Sequence, residues 1–203
     1  MEILMAVSLS KGQRISLEKT GGGGLSKVRM GLGWDPAEAP KKSGFFGSMF
    51  GGGAPADIDL DASCLLLDAQ KNLLDVVWFQ QLQSRDGSIK HSGDNLTGEG
   101  SGDDEVIFVD LTRLPGNVAH LAFTVCSFRG QTFNEVGGAF CRLVDDSNNT
   151  EMAKFNLSDK GAHTGVVMAI VSRNGAGWEM KAVGTPTAGA VANDMMPAVL
   201  AAI

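Results

Sequence analysis

The sequence predicts an all-β protein: a two-sheet antiparallel β-sandwich with a short C-terminal helix. Three observations carry this expectation. Apolar residues recur with a period of two in one segment after another. Turn clusters (DAQKN, SRDGS, RLPGN, DDSNN and SRNGAG) return at the spacing of sandwiches and barrels. No strand pattern alternates with helical patterns, which disfavours a doubly wound fold.

Taken in order, residues 3–9 and 13–18 open the series of strands. Residues 27–34 set Val28, Met30, Leu32 and Trp34 on one face. Residues 57–67 set Ile58, Leu60, Ala62, Cys64 and Leu66 against Asp57, Asp59 and Asp61. Further strands are expected at 73–82, 106–111, 118–128, 138–144, 152–157, 165–172 and 178–184, ten or eleven in all. Only residues 188–203 have a helical stripe, formed by Val191, Met195, Val199 and Ala202, with Pro197 weakening it. Residues 36–56, rich in Pro, Gly, Ser and Phe, read as a flexible insertion in one sandwich domain spanning 1–203. Its Phe45, Phe46, Met49 and Phe50 could dock on a partner or a membrane surface; the alternative is a disordered insertion without a role.

Composition narrows the class. Apolar residues make up 43% of the 203, enough for a core without a disulfide framework. No apolar run approaches the ~20 residues needed to span a bilayer. The first residues carry no basic n-region and no cleavage site, so no export signal is read. With Cys64, Cys126 and Cys141 at no metal-like spacing, three buried thiols and a cytoplasmic location are expected.

Charge is concentrated. Residues 57–110 hold twelve acids and three bases, whereas the remainder holds eleven acids and fourteen bases. An acidic centre of this kind repels phosphate backbones, so nucleic acid is not an expected partner. It suits a hard cation. Its densest part is residues 94–105, with Asp94, Asn95, Thr97, Glu99, Asp103, Asp104 and Glu105 interleaved with Gly98, Gly100 and Gly102. Glycines allow a tightly curled backbone, because only glycine enters positive φ without strain. Carboxylate, amide, hydroxyl and carbonyl oxygens are the ligands of calcium, which takes six to eight at about 2.3–2.6 Å. The segment is not an EF-hand: with Asp94 as position 1, Leu96 and Gly98 fall where carboxylates belong. No P-loop lysine follows, so it is not a nucleotide loop either. Asp57, Asp59 and Asp61, spaced about 7 Å apart at i, i+2 by strand rise, and Asp35 at the end of the preceding strand could complete a cation site.

These residues also carry a resemblance. GWD at 33–35, DLDASC at 59–64, DGSIKHSGDNLTGEGSGDDE at 86–105 and VDL at 109–111 are similar to the TerD family of tellurium-resistance and stress proteins. The likeness runs from SLSKG at 8–12 to GWEMKAVG at 177–184. It implies a calcium-binding β-sandwich holding two ions. The implied ligands are Asp35, Asp59, Asp61, Asp94, Asn95, the Leu96 carbonyl, Thr97, Glu99, the Gly102 carbonyl, Asp103, Asp104 and Glu105. The implied partners are calcium and other tellurium-resistance proteins, with the inner membrane surface as a candidate place of action. Two departures stand out: Ser101, where the loop often has an acid, and the insertion at 36–56.

The expected role is a non-enzymatic binding or scaffold module. The rival is a metal-dependent hydrolase using the acidic loop, with His91 as acid or base and Asp94 or Glu105 as second carboxylate. No nucleophile motif accompanies these residues. A third possibility joins calcium to docking through the Phe-rich insertion.

Overall fold

A computed structural model describes residues 7–18, 23–36, 59–95, 102–157, 159–175 and 177–203. Two six-stranded sheets form the sandwich. The first runs β1 (Val7–Leu9), β10 (Thr150–Leu157), β9 (Val136–Asp145), β3 (Lys27–Pro36), β7 (Glu105–Asp110) and β6 (Ile89–His91). The second runs β2 (Arg14–Ser16), β12 (Gly177–Thr187), β11 (Gly165–Asn174), β8 (His120–Cys126), β4 (Asp61–Leu67) and β5 (Leu73–Val77). All the pairings within the sheets are antiparallel except β1 with β10, which is parallel.

The alternation read from the sequence places the core. Val28, Met30, Leu32 and Trp34 of β3 are buried, as are Ile107 and Val109 of β7. They pack between the sheets against Ala62, Cys64 and Leu66 of β4 and Leu121, Phe123 and Val125 of β8. The second sheet is covered on its outer face as well. Leu65 and Leu67 of β4 and Ala122 and Cys126 of β8 join a separate apolar cluster. Its cover is a 3₁₀ turn, Ala192–Met195, and α1, Met196–Ala202, which supply Met195, Val199 and Ala202. This explains why β4 is buried at every position rather than at alternate ones.

The expectations need four adjustments. The helix is shorter than the stripe suggested, and Pro197 lies in its first turn, where a missing N–H costs nothing. β5 stops at Val77, because Trp78 enters a tight turn closed by reciprocal backbone bonds with Gln81. The strand β6 is an addition: three residues between turns carry too short a pattern to read. β4 begins at Asp61, so Asp59 and Leu60 precede the strand. The insertion at 36–56 lies outside the described residues except for Pro36 at the end of β3. Among the described residues no helix is long and apolar enough to cross a membrane. The three cysteines are free and buried. Burial pushes Cys126 and Cys141 up to about 12 and Cys64 higher still.

Candidate metal centre

The end of β3, the start of β4 and the β6–β7 connection meet at one end of the sandwich. Asp61 opens β4, whose antiparallel register on β8 sets it opposite Cys126, and Asp59 lies two residues before it. Asp94 arrives from the connection after β6. One carboxylate oxygen from each of these three lies within 4.8 Å of the others. Asp59 and Asp61 are each only 5% exposed, whereas Asp94 is exposed. Among the described residues, Asp59 Oδ1 and Asp61 Oδ2 are buried and find no hydrogen-bond partner. Buried polar oxygens are normally satisfied, which sets these two carboxylates apart.

The electrostatics agree with the geometry. Burial, followed by the charges of Glu105, Asp59 and Asp94, raises the Asp61 carboxyl to about 7. Burial also raises Asp59, against the lowering influence of Arg129. Like charges gathered in a low-dielectric site disfavour ionisation unless a cation neutralises them.

The other expected ligands form a frame around this cluster. Glu105 is fully buried. It occupies the first inward position of β7, in step with Ile107 and Val109. Its Oε2 accepts the Ala62 N–H at 2.7 Å and its Oε1 accepts the Asn95 N–H at 3.1 Å. Asp104 Oδ2 accepts the Trp34 N–H at 2.7 Å, and its Oδ1 accepts from Asn95 Nδ2 at 3.1 Å. Burial raises the Asp104 carboxyl, the Trp34 bond opposing it and the charge of Asp35 adding to it. Asp35 itself is exposed at the end of β3.

Asp103 turns to the first sheet. Arg142 of β9 grips it through Nε–Oδ1 at 2.6 Å and Nη2–Oδ2 at 3.0 Å, a bidentate pair. Its carboxylate lies over Gly31, which pairs with Arg142 in the β3–β9 register. A Cβ on Gly31 would collide with that carboxylate, so the close approach requires glycine. Gly102, just before it, adopts a φ of +115°, the conformation the interleaved glycines predicted. The Leu96 carbonyl, Thr97 and Glu99 lie outside the described residues.

His91 is sealed in: its side chain is 0% exposed. Its Nδ1 accepts the Gly93 N–H at 3.0 Å, so the hydrogen-bond network puts the ring proton on Nε2. That nitrogen faces Glu105 Oε2 and the Ala62 carbonyl, each at 3.2 Å.

Sequence reasoning missed a third side of the site, the β8–β9 connection. Arg129 Nε pairs with Asp59 Oδ2 at 2.7 Å, and Gln131 Oε1 accepts the Asp59 N–H at 3.2 Å. No local spacing signals these contacts, because the partners are about seventy residues apart in the chain.

The site is thus an oxygen-rich acidic cluster at one end of a β-sandwich, with its carboxylates drawn from segments far apart in the chain. That describes a class of acidic-loop sandwich proteins, and the comparisons identify which one. The TerD domain family matches residues 5–195, and the chain belongs to that family. It is 49% identical over 197 residues to "Tellurium resistance protein TerZ" of Serratia marcescens, covering 97% of this chain and 98% of the relative. It is 47% identical to "Stress response protein SCP2" of Bacillus subtilis, covering 90% and 94%. Among solved structures, the unknown-function protein SAV2460 matches with a TM-score of 0.64 at 25% identity, over 83% of this chain and 94% of that one. These relatives are named as resistance or stress proteins or as a protein of unknown function, and none of the three is named as an enzyme.

Proposed function

We propose that this chain is a calcium-binding module of the tellurium-resistance and stress response, acting by binding rather than by catalysis. The observation that carries the reading is the pair of buried, unpartnered oxygens, Asp59 Oδ1 and Asp61 Oδ2, within a cluster completed by Asp94. The donor set fits calcium: it is all oxygen, and the nearby Cys126 is held as a thiol by burial. Asp59, Asp61 and Asp94 would hold the first ion. Asn95, Leu96, Thr97, Glu99 and Gly102 would complete its shell, while Asp35 and Asp104 would serve a second ion. When bound, calcium supplies the charge neutralisation that these carboxylates otherwise lack. Glu105 and Asp103 act chiefly as frame, since Glu105 is fully buried with both oxygens on backbone N–H groups and Asp103 is neutralised by the Arg142 guanidinium.

Support for a binding role comes from His91. A general acid or base must reach the proton it transfers, and this ring is sealed with both nitrogens engaged. The buried free thiols fit a reducing, cytoplasmic setting. On this reading the partners are calcium and other tellurium-resistance proteins, at the inner membrane surface, and not nucleic acid. Native mass spectrometry of the wild type and Asp61→Asn, in calcium and in chelator, tests the proposal. Calcium adducts in the wild type that are lost or fewer in Asp61→Asn are expected. A wild type that takes up no calcium would overturn the reading.

A further inference from the structure

We infer that Arg129 is the resident counter-cation of the acidic site, and that an incoming divalent cation competes with it for Asp59. The inference rests on the calcium reading and adds to it the device that sets affinity. Among the described residues, the Arg129–Asp59 pair at 2.7 Å is the one ion pair made by the cluster of Asp59, Asp61 and Asp94. Among the described residues, a single guanidinium therefore offsets three carboxylates.

Asp59 divides its carboxylate between two roles. Its Oδ2 faces Arg129, while its Oδ1 is buried without a partner. The two side chains differ in what they lose by separating. The Arg129 side chain is 54% exposed, so water can take over its hydrogen bonds; that of Asp59 is 8% exposed and stays fixed. Its backbone N–H is also held by Gln131. A divalent ion at Oδ1 repels a guanidinium held on the same carboxylate. Cation binding should therefore loosen or release Arg129, and Arg129 should weaken cation binding in return, because linkage is reciprocal. The arrangement lets the metal-free protein tolerate its acids at a cost in calcium affinity.

Isothermal titration of calcium into wild type, Arg129→Gln and Arg129→Lys, with melts in chelator, tests this. Arg129→Gln should bind calcium about five- to tenfold more tightly than wild type. The same variant should melt several degrees lower in chelator, since the cluster has lost its counter-charge. Arg129→Lys keeps the charge and should stay near wild type in both measurements. Calcium uptake by the wild type with equal or weaker binding in Arg129→Gln overturns this inference alone: equal affinity means that Arg129 does not compete, and weaker affinity means that it positions Asp59. No uptake by the wild type overturns the calcium reading and this inference together.

Discussion

Glu105 Oε2 accepts the Ala62 N–H at 2.7 Å across 43 residues of chain, joining β7 of the first sheet to β4 of the second. The same carboxylate holds the Asn95 N–H and faces His91 Nε2. One buried side chain thus fixes three of the segments that bring the acids of the site together.

Glu105→Ala should consequently be a stability mutant before it is a binding mutant. The buried Ala62 N–H and the part-buried Asn95 N–H would lose this acceptor, while His91 Nε2 keeps the Ala62 carbonyl at 3.2 Å. An unsatisfied buried group costs about 1–3 kcal/mol, so a total of about 2–4 kcal/mol is expected. Urea denaturation should show this loss in calcium and in chelator alike, and Glu105→Gln should recover part of it.

The bidentate pair of Asp103 and Arg142 should behave as a coupled unit. A double-mutant cycle with Asp103→Asn and Arg142→Gln is expected to give a coupling of about 1 kcal/mol, since the carboxylate is mostly buried but the guanidinium is partly hydrated. Gly31→Ala should abolish most of that coupling by pushing the carboxylate off its seat. An unchanged coupling in the Gly31→Ala background would show that the seat is not needed.

Proton linkage gives the metal-free protein an unusual pH profile. The Asp61 carboxyl is raised from 3.8 to about 7, chiefly by burial and then by its acidic neighbours. The folded state thus holds this proton more tightly than the unfolded chain does. Its stabilising effect is complete below the unfolded value and lost as pH rises through the folded one. In chelator, the Asp61 contribution should be lost between about pH 4 and pH 7, with Asp59 and Asp104 shifting in the same direction and His120 and His163, held low by burial, opposing it. Asp68 and Asp110 are held low, Asp68 by Asn72 and Asp110 by Thr112. Their contribution is lost only as pH falls through those low values, outside this window. Asp61→Asn should flatten the decline, as thermal melts across the range would record.

Much of the fold was legible because burial imposes a period of two. Val28, Met30, Leu32 and Trp34 face inward as the pattern required. The parallel pairing of β1 with β10 was not legible, since register between segments 146 residues apart leaves no local trace. Nor was the outer cover of β4, although its unbroken apolar run, Cys64 to Leu67, hinted at burial on both faces. In the site, residue type pointed to cation chemistry, and the structure brings Asp59, Asp61 and Asp94 together. The frame role of Glu105 was readable in principle. Beginning the strand one residue earlier puts Glu105 in phase with Ile107 and Val109, on the inward face. Arg129 and Arg142 were not readable, because their acidic partners come from distant strands and loops.

The most direct test of the central claim is a pair of thermal melts of the wild-type protein near pH 7.5, one in millimolar calcium and one in chelator. A ligand that binds only the folded state adds about 2.7 kcal/mol at a hundredfold excess over Kd. For a domain of this size that corresponds to a rise in Tm of about 5–10 °C. The expected result is a rise of that order in calcium and a much smaller one in magnesium, which demands octahedral geometry and keeps its waters. Superimposable curves in calcium and chelator would contradict the assignment of Asp59, Asp61 and Asp94 as a calcium site.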